Sequence, residues 1–299
     1  MLADEEGIMK RICFFGDSIT VAGLWIAEVF ENVKKDEVKL YNCGVAGDTA
    51  LRSLNRLYAT CLSYNPDAVV VMFGMNDVGR WLYEESNNEP EERKSEHIKL
   101  FEKSMREIAD KIIGAGIELI LCTTSPFDDI TPFDGEKTTV NDGLAKCAEV
   151  TRKLAAERNC KCIDFFKEMY EILKKDRIVK EDRVHQTELG QHYMAKIFMR
   201  EMGINAHTDN FVLDGINKER YKLEQDLRHI DFVEWNLMLE ERLKRKMTHA
   251  EKIGFAKKKL SEAKEADDKT NISWYGVYLD TVEDKEDIRA KLTELTLNM

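Results

Sequence analysis

The chain has 299 residues, of which 43% are hydrophobic and 34% charged, with a formal net charge of −11. That length suffices for one large domain or two smaller ones, and the apolar content for a sizeable core. An acidic chain gains nothing from the phosphate backbone, so a nucleic-acid partner is not expected. The opening MLADEEGIMK is acidic, no apolar leader-like run precedes the first apparent strand, and no stretch approaches bilayer-spanning length. A cytoplasmic chain with no membrane partner is therefore the expectation. The seven cysteines are scattered. Cys13, Cys43 and Cys122 fall in apolar runs, where cysteine acts as a small buried hydrophobe. Cys160 and Cys162 have no second pair at metal-ligand spacing, so free thiols and no structural metal are expected.

Taken in chain order, residues 11–15 form a short apolar run ending in Gly16. Leu24, Ala27, Val29 and Phe30 then share one face of a helix. Residues 38–41 read as a second strand, and residues 68–73, ending at Gly74, as a third. In residues 97–113 the apolar positions Ile98, Phe101, Met105, Ile108 and Ile112 recur at helical spacing until Gly114 and Gly116 stop them. Residues 117–123 give a fourth strand, 140–158 a helix, 162–165 a fifth strand, and 188–202 a last helix closed by Gly203. Near-continuous apolar strands alternating with amphipathic helices imply a parallel sheet covered on both faces. The expected fold is a three-layer α/β/α domain with a flavodoxin-like parallel sheet over residues 1–205.

The pattern changes over residues 206–299, which read as a mostly helical C-terminal extension. Residues 221–247 are dense in both charges, with one apolar stripe through Leu223, Leu227, Ile230, Val233 and Leu237. Thr248 and Glu251 form a capping-box pattern that opens another helix. Residues 273–279 are an aromatic run readable as strand or loop, and 284–297 a terminal helix. Single-striped helices must pack on the α/β domain, on each other or on a second copy of the chain. Trp235, Tyr275 and Tyr278 are the candidate anchors if the extension makes a homo-oligomer interface.

Four short blocks stand at the ends of apparent strands, the edge at which open parallel sheets bind ligands. The first is Gly16-Asp17-Ser18-Ile19-Thr20; it reads as a turn with a helix cap, or as a serine presented to a carbonyl. The second, residues 42–49, carries Gly47, whose N–H is open to a ligand, before a helix capped by Asp48 or Thr49. The third is Gly74-Met75-Asn76-Asp77, a turn whose Asn76 amide can donate to a developing oxyanion. The fourth is Asp182-Arg183-Val184-His185. Histidine is the natural base for a serine hydroxyl, and an acid three residues earlier can fix its tautomer. His97, His192, His207, His229 and His249 lack such surroundings and read as surface or packing residues.

The order GDS, glycine, G-x-N-D and D-x-x-H over residues 10–200 resembles the SGNH, or GDSL-like, hydrolase superfamily. That resemblance implies Ser18 as nucleophile, His185 as base and Asp182 as its orienting acid. It implies an oxyanion hole made by the Ser18 N–H, the Gly47 N–H and the Asn76 side chain, with no cofactor or metal. Asp17 and Asp77 are added as candidate substrate-binding residues. Gln186 follows the histidine where proline is common, and it touches no reacting atom. The implied function is a serine esterase on a small-molecule acyl ester, with a lean toward O-acetyl groups on carbohydrate because no apolar lid or membrane-surface helix is visible. A lysophospholipase or thioesterase is the alternative, and a catalytically inactive binding protein the remaining one.

Overall fold

A computed structural model describes residues 10–33, 37–87, 89–131, 137–205 and 248–265, with residues 219, 223, 230, 275, 278, 279 and 282. The chain divides into two compact units, Met1–Phe211 and Val212–Met299.

The first unit is built on five parallel strands: β1 (Lys10–Gly16), β2 (Val38–Gly44), β3 (Ala68–Met72), β4 (Glu118–Cys122) and β5 (Lys161–Ile163), in the order β2-β1-β3-β4-β5. This is the flavodoxin-like order, with the sheet buried on both sides, as the apolar strands require. Between the strands run α1 (Ser18–Ala22), α2 (Leu24–Glu31), α3 (Ala50–Ser53), α4 (Leu57–Thr60), α5 (Glu91–Gly114) and α6 (Val140–Glu157), then α7 (Phe165–Leu173) and α8 (Glu188–Met202).

Strand alternation sends successive side chains of β1 to opposite faces. On one face Phe14 meets Trp25 of α2 and Phe198 of α8, and Trp25 also meets Phe165 of α7, with ring centroids 5.1–5.7 Å apart. All four rings are buried, each worth roughly 1.5–3 kcal/mol of burial, and their tilted or edge-on arrangement suits aromatic quadrupoles. On the other face Phe15 packs edge-on against Phe73.

Three boundaries differ from the sequence expectation. β2 runs on through Asn42 because that polar side chain is satisfied inside the fold: its amide donates to the Thr20 carbonyl and its Oδ1 accepts from the Gly44 N–H. α5 begins at Glu91, not near residue 97; Pro90 sets its start, and Glu91 and Glu92 favour a helix N-terminus without apolar periodicity. Phe165 belongs to α7 and not to the fifth strand, since Asp164 caps the helix by accepting from the Lys167 N–H.

In the second unit, α9 (His249–Glu265) opens with the expected capping box: the Glu251 N–H donates to Thr248 Oγ1, and the Thr248 N–H to Glu251 Oε2. Tyr275 and Tyr278 are buried within the chain, so neither is an aromatic left open for a partner. Of the aromatic run over 273–279, residues 275, 278 and 279 are described and are helical, not strand or loop. Trp235, residues 284–297, residues 221–247 apart from 223 and 230, and His207 and His229 lie outside the described residues, as does the side chain of His249. Among the described residues no helix is long and apolar enough to cross a membrane.

Candidate active site

In the order β2-β1-β3 the chain reverses direction of travel across the sheet between β1 and β3, which opens a crevice at their carboxyl ends. Ser18 follows β1 and Asn76 follows β3, so both stand at that crevice. Ser18 is the first residue of α1, and Asp17 before it caps the helix by accepting from the Ile19 N–H at 2.9 Å. Glycine is required just below: a Cβ on Gly16 would lie 2.6 Å from the Met72 carbonyl oxygen, and one on Gly44 would lie 2.4 Å from the Val21 backbone nitrogen.

His185 arrives from the far side of the sheet on a tight loop. The loop is closed by backbone bonds from the Lys180 N–H to the His185 carbonyl and from the Thr187 N–H to the Ile178 carbonyl. Arg183 takes a left-handed conformation, φ 63°, costing roughly 1–2 kcal/mol. The surroundings hold it there: Asp128 N–H donates to the Arg183 carbonyl, Arg183 Nε to the Asp128 carbonyl, and the guanidinium lies 4.9 Å from the Phe127 ring centroid. Gln186 is buried and its amide donates to Ser125 Oγ and the Val184 carbonyl, so the departure from proline supplies a tether to the segment after β4.

With the loop so held, His185 Nε2 lies 2.8 Å from Ser18 Oγ, and His185 Nδ1 2.6 Å from Asp182 Oδ2. The other Asp182 oxygen accepts the Val184 and His185 backbone N–H groups. Burial works against the Asp182 charge, but the bonds from His185 and Val184 outweigh it and hold the carboxyl below its usual range. An ionised carboxylate there fixes the proton on Nδ1 and leaves the Nε2 lone pair toward the serine hydroxyl.

Gly47 adopts φ 69°, a left-handed turn that suits glycine, and Thr49 then caps α3 by accepting from the Arg52 N–H. Asp48 is not the cap; its carboxylate pairs with Arg56 Nε at 2.6 Å. Arg56 is fully buried, and it also donates to the carbonyls of Gly16 and Cys43 and to Thr60 Oγ1. It thereby ties the ends of β1 and β2 to the Gly47 loop. Asn76 Nδ2 donates to the Asp48 carbonyl at 2.9 Å. An amide nitrogen carries two N–H groups, so this bond orients the side chain while a second donor remains.

Asp17 and Asp77, expected to touch substrate, are turned into the protein and buried. Asp77 accepts from the Ala50 and Gly74 N–H groups, joining the second block to the third. Burial above all, with help from neighbouring carboxylates, pushes both acids up to about 7 despite their N–H donors. Their part is to shape the loops that carry Ser18 and Asn76. His97, read from the sequence as a surface or packing residue, lies 3.0 Å from the Asp77 carbonyl, and Trp81 went unnoticed in the sequence. Trp81, on a 3-10 turn (Arg80–Tyr83), lines with His97, Asn76 and Asp182 a cleft of about 730 Å³. His192 is a packing residue as expected, paired with the buried Glu28.

The sulfurs of Cys13, Cys43 and Cys61 lie within 4.8 Å of one another, the residues of the described part whose donor atoms could gather round a metal ion. Mutual hydrogen bonding and burial hold the Cys13 and Cys61 thiols well above their usual range, the state of buried apolar thiols. They sit within the hydrophobic core.

A family model described as GDSL-like Lipase/Acylhydrolase matches residues 14–193, more than half of the chain. The chain belongs to that family. As a GDSL-like acylhydrolase it is a carboxylic ester hydrolase. It is 24% identical over 225 residues to an acetylxylan esterase of Geobacillus stearothermophilus, covering 66% of this chain and 95% of that protein. The crystal structure of Axe2, an acetylxylan esterase from Geobacillus stearothermophilus, superposes with TM-score 0.57 and 21% identity, over 69% of this chain and all of that one. The acetyl xylan esterase AlAXEase superposes with TM-score 0.51 and 29% identity, over 64% of this chain and 98% of that one.

Proposed function

We propose that this acylhydrolase removes O-acetyl groups from carbohydrate through an acyl-enzyme on Ser18. The observation that carries the reading is the unbroken hydrogen-bonded chain from Asp182 through His185 to Ser18 at the crevice beside β1 and β3. His185 Nε2 takes the Ser18 proton as Oγ attacks the acetyl carbonyl carbon. The negative charge that develops on the carbonyl oxygen is met by the Ser18 and Gly47 N–H groups and the second N–H of Asn76. Comparable donors, where removed elsewhere, have cost about 3–4 kcal/mol of barrier each. His185 then gives its proton to the departing sugar oxygen, and water activated by the same ring cleaves the acetyl-enzyme. Every proton is passed through one imidazole, so these steps need no further group.

Two kinds of support favour acetyl on sugar over a long acyl chain. The relatives compared are acetylxylan esterases by name. The cleft beside Asn76 and Asp182 carries the polar or charged side chains of Arg80, Glu84, His97, Thr138, Glu181 and Arg183, which can hydrogen-bond sugar hydroxyls. The test is Ser18→Ala against the parent on acetylated xylooligosaccharides and on a chain-length series of simple esters. Acetate release should fall by several orders of magnitude in a variant of unchanged melting temperature. Activity within tenfold of the parent would remove Ser18 from the mechanism, and a preference rising with chain length would remove acetyl as the acyl group.

A further inference from the structure

We propose that Trp81 is a sugar-stacking platform that makes this site prefer acetylated carbohydrate to simple alkyl esters. The inference rests on the carbohydrate reading above and deepens it by naming the residue that recognises the sugar.

Trp81 lies five residues beyond Asn76. The two residues that follow it on the 3-10 turn, Leu82 and Tyr83, are buried at 1% and 4% exposure, whereas Trp81 keeps 42%. The turn is rigid: Gly79 begins it at φ 67°, the Leu82 N–H donates to the Gly79 carbonyl, and the Thr139 N–H to the Tyr83 carbonyl. The indole is also held from α5, with the Arg93 guanidinium 4.8 Å from its centroid and the His97 ring edge-on at 6.4 Å. A single exposed aromatic usually signifies nothing. This one is held by its turn, by Arg93 over one face and by His97 at its edge, and it lines the same cleft as Asn76 and Asp182. On this proposal the alcohol portion of the substrate lies in that cleft, against the face Arg93 leaves open.

The chemistry of that cleft selects the alcohol. Apart from Trp81 its apolar lining is Phe127 and Val140, and the rim carries Glu84, His97 and Arg183. An exposed indole among hydrogen-bonding groups suits a flat ligand with an apolar face and a polar edge. A pyranose is such a ligand: its axial C–H groups present a face to an indole, and its hydroxyls point outward to the rim. A rigid ring loses little conformational freedom on contact, so the stacking energy is not consumed in ordering it.

The experiment compares the parent with Trp81→Ala and Trp81→Phe on acetylated xylotriose and on ethyl acetate, whose alcohol is too small to reach the ring. The ratio of kcat/KM for the sugar to that for ethyl acetate should fall at least tenfold in Trp81→Ala, mainly through KM, and largely recover in Trp81→Phe. Calorimetric binding of acetylated xylotriose to Ser18→Ala should weaken by a similar factor when Trp81→Ala is added. A ratio within twofold of the parent's would overturn the proposal. So would an equal loss on both esters, which would make Trp81 a prop for the Asn76 loop. If the parent itself showed no preference for acetylated xylotriose, the carbohydrate reading would fall and Trp81's role with it; if the preference held but the ratio did not move, only Trp81 would fall.

Discussion

Replacing Asp182 with asparagine changes one carboxylate oxygen into an NH₂ group, and the structure dictates which one. Asp182 Oδ1 accepts two backbone N–H groups, from Val184 at 3.0 Å and His185 at 2.9 Å. An NH₂ at that position would face two donors, so the amide oxygen must take it and the NH₂ must take the Oδ2 position, 2.6 Å from His185 Nδ1. Nδ1 then becomes an acceptor and the imidazole proton moves to Nε2, where it points at Ser18 Oγ and blocks proton abstraction. The imidazolium formed in the transition state also loses its counter-charge. An analogous change in a serine protease lowers turnover about 10⁴-fold, roughly 5.5 kcal/mol. Here the side chain of Asp182 is 49% exposed, so solvent screens part of the lost charge. The expected loss is accordingly about 10³-fold in kcat, with KM little changed. Stopped-flow or steady-state acetate release, with circular dichroism as a check on folding, measures it. A folded Asp182→Asn enzyme within tenfold of the parent would refute the tautomer argument.

Three other outcomes follow from the same geometry. His185→Ala should abolish ester hydrolysis, whereas His192→Ala should keep near-parental turnover but melt earlier, because it strands the buried Glu28; the reverse pattern in a rate assay would displace His185 as base. Asn76→Ala should lower kcat about 10²-fold or more and leave KM nearly unmoved, since an oxyanion donor matters when charge develops; a change confined to KM would make Asn76 a substrate-positioning group. Asp17 and Asp77 sit near 7 in the fold against 3.8 when unfolded, so the folded state binds the extra protons between those values. Their stabilisation is present in full below about pH 4 and is lost as pH rises toward 7, because burial opposes both charges. Urea denaturation should show stability falling from pH 5 to pH 8 by more in the parent than in Asp77→Asn, and parallel curves would show that Asp77 does not titrate there.

The sheet was legible because its signals are local. Each strand of the first unit is an apolar run stopped by a glycine or a polar turn, and parallel burial makes such runs conspicuous. The errors came where a local rule met a tertiary one. Asn42 looks like the end of a strand until Thr20 is brought alongside to accept its amide. Phe165 and Phe166 extend the apolar run past β5, and only the Asp164 cap turns them into a helix. The first turns of α5 bury little, so no periodicity announced them.

The site divides in the same way. Ser18, Asn76, Asp182 and His185 could be singled out because each stands in a short block at a strand end, and their chemistry is peculiar to their residue types. Arg56 could not: it sits on no strand end, and a lone arginine in a helix-like stretch reads as solvated surface. Its importance arises from burial, where the cost of an unpaired guanidinium is avoided by four bonds, to β1, β2, the Gly47 loop and Thr60 of α4. Asp17 and Asp77 were misassigned for the converse reason. They adjoin Ser18 and Asn76 in sequence, and adjacency suggested contact with the same substrate. At a strand-to-helix turn successive side chains diverge, so the residue beside one that faces the crevice faces the protein instead. An acid buried there is held by the backbone N–H groups of the turns that carry Ser18 and Asn76, and it shapes the crevice from behind.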